Sequence, residues 1–278
     1  MGGLDMSGLG LTFLRRGNLA HPTAGSDYIK FADQAVFDIL MSKGVSSDGV
    51  GITKEDAAKV TTIGTWFKGN SDIVEFEELR FFTGLTSLTG GYQSGAFYKC
   101  NNLERIALPP SVINLGGYAF QDCAKLVNVG SLEFVQVMGE GTFVNCPLSE
   151  VAVISMPSLT GSLYKRNFNG MKHSYIVDNL GAITKITGTQ YNDNVFGNGL
   201  TVVVLPPSIE SISSYAFNQN TKLQAIISEA ATPPTISNSF TGPTCPIYVP
   251  DTSVDAYKAN SGWSGYASRI KPLSEYQG

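Results

Sequence analysis

The sequence predicts an α/β solenoid: a right-handed coil of about seven turns with short parallel strands, closed by a small helical N-terminal cap and a short C-terminal helix. Three observations predict it. The first is a phenylalanine that keeps returning. Phe97, Phe120, Phe143, Phe168, Phe196, Phe217 and Phe240 are separated by 23, 23, 25, 28, 21 and 23 residues. A period in this range marks an array in which each repeat is one turn and buries its apolar side only against its neighbours. The second is a strand-and-break signature inside the period. Ile106 and Leu108 alternate as one buried face of a strand does, and Pro109-Pro110 ends the strand because proline offers no amide hydrogen to a ladder. Val203, Leu205, Pro206 and Pro207 repeat this arrangement. The third is that the periodic region is flanked by segments with helical spacing, as a solenoid needs if its terminal apolar faces are to be covered.

Residues 1–70 read as an N-terminal segment and cap. Val36, Ile39 and Leu40 follow helical spacing with Asp33 as N-cap, and Thr53 caps a second short helix through Ala57 and Val60. Trp66 and Phe67 are placed against the first turn. Residues 71–250 form the coil, entered through Phe76, Leu79, Phe81 and Phe82. Gly116 and Ala119 allow a tight corner before Phe120. Large side chains fall five residues before the phenylalanines, at Leu115, Met138, Leu163, Tyr191 and Ile212, and the Gly/Asn/Thr-rich stretches 89–94 and 188–194 read as protruding loops. Residues 251–278 form the C-terminal cap, with Asp251 or Thr252 capping a helix that carries Val254 and Tyr257, and with Trp263 and Tyr266 over the last coil.

Three of the four cysteines obey the repeat: Cys100, Cys123 and Cys146 each follow a repeat phenylalanine by three residues, and Met171 holds that place after Phe168. A position shared by Cys and Met reads as a soft buried slot. Stacked side chains point the same way, whereas a disulfide needs facing Cβ vectors, so free thiols are expected. Cys245 is expected to be buried as well.

The strings YAFQDCAKL, with LPPSV upstream, and SYAFNQNTKL, with LPPSI upstream, resemble the BspA-type leucine-rich repeat family of bacterial surface proteins. The resemblance covers residues 85–250, and the end of the chain also resembles the closing segment of such proteins. Repeats four and five depart from the pattern: SLYKRNFNGMKHSYIV lacks the alanine before Phe168 and the LPxS string, so those turns are expected to bulge or twist. The resemblance implies a leucine-rich-repeat coil and an adhesion role at the bacterial cell surface.

Composition excludes several functions. Charged residues are 15% of the 278, with a net charge of -4, so the clustered Lys and Arg of a nucleic-acid footprint are missing. No apolar run approaches the ~20 residues of a membrane helix. The basic pair Arg15 and Arg16 follows the short apolar stretch 9–14, the reverse of a secretory leader. No export signal is therefore read in the chain as given, although a mature form with its leader removed would look the same.

No constellation speaks for catalysis. His21 and His173 have no nucleophile in a recognisable setting and read as surface or structural histidines. Glu77 with Glu78, and Glu55 with Asp56, are adjacent in sequence, whereas glycosidase carboxylates flank a cleft; they read as solvated charges. Gly2, Gly3, Gly8 and Gly10 lack the strand and helix of a phosphate loop. Residues 48–55 faintly resemble a calcium loop, but the ligand spacing is wrong, and a turn between helices is the plainer reading. Neither metal nor cofactor is expected.

The strands offer a face instead. If Ile106 and Leu108 point inward, their neighbours point outward. That register gives an outer lane of Arg105, Asn128, Glu150, Ile176, Val202 and Ala225, and a second of Ala107, Gly130, Ala152, Asp178, Val204 and Ile227. The first three turns are polar or small, whereas Ile176, Val202, Val204 and Ile227 would form an exposed apolar stripe, a mark of interaction surfaces. A register slip of one residue would reverse this assignment. The expected function is a non-catalytic recognition scaffold that binds a host protein or glycan at the cell surface or in secreted form. The alternative is a structural or receptor-binding component of a phage or mobile element, in the virion or cytoplasm, on the strength of the absent leader and the opening GLGLTFLRRGN.

Overall fold

The computed structural model describes residues 27–188 and 194–277. The readings made for residues 1–26, including His21 and the opening glycines, and for Tyr191 lie outside them. Within the described residues the phenylalanines form a single file. Phe97 stacks on Phe120 with ring centroids 5.1 Å apart and planes 1° from parallel. Phe120 stacks on Phe143 at 5.2 Å, Phe143 on Phe168 at 5.8 Å, Phe168 on Phe196 at 6.2 Å, Phe196 on Phe217 at 5.5 Å and Phe217 on Phe240 at 5.4 Å. Phe67 adds an eighth ring, 5.3 Å from Phe97, so the coil is one turn longer than the seven rings of the spacing pattern. Trp263 closes the far end, tilted 43° against Phe240. All of these rings are buried.

Two parallel ladders flank the column. The front ladder carries strands Glu75–Phe76, Arg105–Ile106, Val153–Ser155, Tyr175–Asn179, Leu200–Leu205, Ala225–Ser228, Ile247–Val249 and Ile270–Pro272. The last six form one continuous sheet, and the first two a separate pair extended by an Arg105–Asn128 bridge. The side ladder, a second sheet face beyond the single one expected, runs through Ser87–Leu88, Asn114–Leu115, Val137–Met138, Thr160–Leu163, Ala182–Ile186, Ser211–Ile212 and Thr235–Ile236. It is here that Leu115, Met138, Leu163 and Ile212 point into the core. Ile186 holds the place in this ladder between Leu163 and Ile212, with both of which it pairs. The extra residues of that turn therefore follow the strand rather than precede it. Repeats four and five bulge as expected, with register shifts at Ile154/Ser155, Gly161/Ser162 and Leu200/Val202.

Corner residues two before the phenylalanine take left-handed backbone angles at Tyr118, Arg166, Tyr215 and Asn238 as well as at Gly141, so glycine is not obligatory there. Glycine is required elsewhere, where turns touch. A Cβ on Gly116 would lie 2.4 Å from the Gly90 nitrogen, and one on Gly139 would lie 2.2 Å from the Gly117 nitrogen. No real Cβ approaches backbone so closely, so these positions exclude any side chain.

The N-terminal cap is built as the sequence indicates. Helix α1, Gln34–Ser42, is capped by Asp33, which accepts from the Ala35 and Val36 amides, and α2, Lys54–Lys59, starts at a Thr53–Asp56 capping box. The second Asp33 oxygen accepts from Val74 N at 2.6 Å, tying cap to coil. At the other end, α3, Val254–Ala259, follows a short 3-10 turn and has Ser253 at its N-cap, whose hydroxyl does not cap the helix but donates to Ala231 O at 2.8 Å. Asp251, read from sequence as a helix cap, instead accepts from Ser274 N at 3.0 Å. Tyr257 and Trp263 are buried, and the Trp263 indole donates to Pro234 O at 2.8 Å.

Candidate binding face

The outward side chains of the front ladder are where sequence and structure meet. Arg105 and Glu150, two turns apart, form a two-pronged ion pair: Nη1 donates to Oε2 at 2.6 Å and Nη2 donates to Oε1. Asn128, on the turn between, donates to the same carboxylate at 3.4 Å and accepts from Gly130 N at 2.8 Å. The guanidinium holds the Glu150 carboxyl below the usual carboxylate range. Both partners are about two-fifths exposed, so the cluster is a solvated patch with modest worth for stability.

The apolar half differs from its prediction in two respects. Val202 pairs with Ile176 on one side and Ala225 on the other, and Val204 pairs with Ile227, as the lanes require. The residue opposite Ile176, however, is Val153 and not Glu150. Val153 stands ten residues after its phenylalanine, whereas Asn128 and Ile176 stand eight after theirs. The longer turn spends its extra residues before the strand, which leaves Glu150 in the approach to it. Ile227 is also buried rather than exposed; in the ladder it lies between Val204 and Tyr248, and Tyr276 packs its ring 5.0 Å from that of Tyr248. The open part of the stripe is therefore Val153, 45% exposed, with Ile176, Val202 and Val204 half-buried beside it.

Sequence reasoning missed Val153, because only the ladder reveals the longer approach, and it missed an aromatic corner. Tyr92, at the tip of the first protruding loop, is 66% exposed and meets Tyr118 edge-on at 5.4 Å. The Tyr118 hydroxyl donates to Glu140, and burial together with that bond raises its pKa to about 12. An aromatic within a Gly-rich loop was the signal available.

The acidic pairs divide. Glu55 and Glu77 are surface charges paired with Lys59 and Arg80. Asp56 and Glu78 are buried, contrary to their reading as solvated. Asp56 completes the capping box, and Glu78 accepts from Ala32 N at 3.1 Å, holding the cap to the first turn. His173 is structural, its Nε2 2.8 Å from Val151 O. In the calcium-like stretch the Asp48 carboxylate is taken up by Tyr28, Ser46 and the Val50 and Gly51 amides, which makes a turn of it. Among the described residues no group of three or more His, Cys, Asp or Glu could hold a metal ion, and no helix is long and apolar enough to cross a membrane.

Column, ladders and tight inter-turn contacts define a leucine-rich-repeat solenoid. The chain belongs to the BspA-type leucine-rich-repeat family, whose model matches in six copies over residues 60–175, 91–224 and 189–245. Among curated proteins none matches. Among solved structures, the chain is similar to a leucine-rich cell surface protein from Faecalibacterium prausnitzii A2-165, at 19% identity and a TM-score of 0.46 over 62% of this chain. The match spans 54% of the other chain, about half its length.

Proposed function

We propose that the chain is a non-catalytic recognition scaffold of the bacterial cell surface that engages a partner protein through its front ladder. The observation that carries this reading is the outward run of Val153, Ile176, Val202 and Val204 on the solvent side of a sheet, beside the polar cluster of Arg105, Asn128 and Glu150. Apolar side chains in file on a solvated sheet cost solubility and add nothing to the column. An apolar centre with a polar flank is the composition of a protein–protein contact. The four side chains stand on three neighbouring strands across about 10 Å, enough to meet one strand or helix of a partner. Surface placement is supported by the resemblance to bacterial surface proteins. The virion alternative rests on residues outside the described structure, and nothing in the ladders favours it.

The test is an array of immobilised host extracellular proteins and glycans, probed with the wild-type chain and with Val202→Lys/Val204→Lys. Binding to particular protein spots that the double variant loses by tenfold or more supports the reading. Protein binding that survives the variant, or binding confined to glycan spots, refutes it.

A further inference from the structure

The cap contains a concavity that the front ladder does not use. A cleft of about 350 Å³ opens between the end of α1, α2 and the segment that follows it, and its lining includes Lys43, Lys59, Val60, Thr61, Thr62 and Trp66. The volume suits one or two sugar rings. Phe67 takes the core side of this segment, fully buried in the column, which leaves its neighbour Trp66 half-buried at the cleft. An indole so placed offers a flat apolar plate with a polar edge.

The remaining lining fixes the chemistry. Thr61 and Thr62 are exposed hydroxyl residues, and Lys43 and Lys59 bring two ammonium groups. Lys59 is held at 2.8 Å by Glu55; among the described residues Lys43 makes no ion pair. The one carboxylate in the lining, Asp56, is spent on the Thr53 amide and hydroxyl at 3.0 and 2.8 Å and is buried. Glu55 offsets Lys59, and the hydrogen-bonded Asp56 keeps its negative charge, so among the described residues Lys43 is the lining cation that no ion pair engages.

We infer that this cleft binds a saccharide bearing an anionic group, with the C–H face of the sugar ring on Trp66, its hydroxyls against Thr61 and Thr62, and its carboxylate or sulfate at Lys43. The site is separate from the front ladder and stands or falls independently of it.

Trp66 reports on its own site, because the only other tryptophan, Trp263, is buried at the far end of the coil. The full chain is titrated with N-acetylneuraminic acid, glucuronic acid, a sulfated galactose and, as neutral control, glucose, following tryptophan emission. A saturable change with an anionic sugar, absent with glucose and abolished in Trp66→Phe, is the expected result. Calorimetry on Lys43→Ala should then show affinity lower by at least fivefold, with Val202→Lys/Val204→Lys unaffected. The carboxylated and sulfated arms distinguish the two sources of the anion. Equal responses to glucose, no response to any anionic sugar by emission or calorimetry, or full affinity in Lys43→Ala would overturn the inference.

Discussion

The Cys123 thiol donates to the carbonyl oxygen of Phe97, one turn back, at 3.0 Å. Cys100 makes the same bond to Phe67 at 3.0 Å and Cys146 to Phe120 at 2.9 Å. Three residues after Phe217 the place is taken by Asn220, whose amide reaches Phe196 O at 3.2 Å and Gly197 O at 2.7 Å. The slot is thus a turn-to-turn donor as well as a packing position, a role that Asn220 makes plain and that Met171 cannot fill.

The thiols should accordingly be inert in the folded chain. All four are free and buried, and burial pushes the Cys123 thiol far above its ordinary pKa, so thiolate, the reactive form, is scarce. Ellman's reagent is expected to find no thiol in the native protein and four in guanidinium. A thiol that reacts within minutes in native buffer would contradict this.

Removing a ring from the middle of the file should be costly. Phe120 is fully buried between two parallel neighbours, and Phe120→Ala is expected to lose about 3–5 kcal/mol of stability through lost burial and the cavity left behind. Urea unfolding checks this; a loss under about 1 kcal/mol would mean that the ring is not packed as described.

Glycines should divide by what a Cβ would meet. At Gly116 it would press into Gly90 backbone at 2.4 Å, whereas at Gly265 nothing lies within 4 Å. Gly116→Ala is expected to cost about 1–3 kcal/mol or more as the turns are forced apart. Gly265→Ala should change the melting temperature little. Equal effects would count against the inter-turn contacts.

Acid should loosen the N-terminal cap first. The Asp48 carboxyl is held far below its usual pKa by the hydrogen bonds from Tyr28 and Val50, and the Asp56 carboxyl is lowered chiefly by the Thr53 amide. A carboxyl whose folded pKa is depressed stabilises the fold above its unfolded value, about 4, and that contribution is lost as pH falls toward the folded value. Melting should therefore be level from pH 7 to 5 and fall below pH 4. In Asp48→Asn/Asp56→Asn the curve should start lower and fall less. An unchanged acid slope in the double variant would refute the assignment.

The exposed cluster should matter little for folding. Arg105→Ala removes a solvated ion pair and is expected to leave the urea midpoint nearly unchanged, with any small effect fading at high salt. A large drop in the midpoint that persists at high salt would mean that the pair behaves as a buried one and would count against its availability to a partner.

Most of the column was legible in the sequence because each phenylalanine occupies the same place in a near-constant period, and the helix caps because Asp33 and Thr53 sit directly before apolar helical spacing. The side ladder was half legible: Leu115 and Ile212 marked it, but Ile186 was missed, because only parallel pairing shows where a long turn stores its extra residues. The same ambiguity separated Val153 from Glu150. Glu78 and Asp56 read as solvated because adjacent charges usually are; their burial follows from backbone amides that need an acceptor where the cap meets the coil. The cleft at Trp66 was hidden because it is made by three segments meeting, not by any one of them.

Both ladders flank the aromatic file, so the most direct test of the account is a pair of double-mutant cycles read by urea unfolding. Phe120→Leu with Phe143→Leu joins rings 5.2 Å apart and is predicted to show a coupling of about 0.5–1.5 kcal/mol. Phe97→Leu with Phe217→Leu joins rings separated by several turns and is predicted to be additive to within about 0.5 kcal/mol. Additive neighbours, or equal coupling in both cycles, would contradict a single continuous stack.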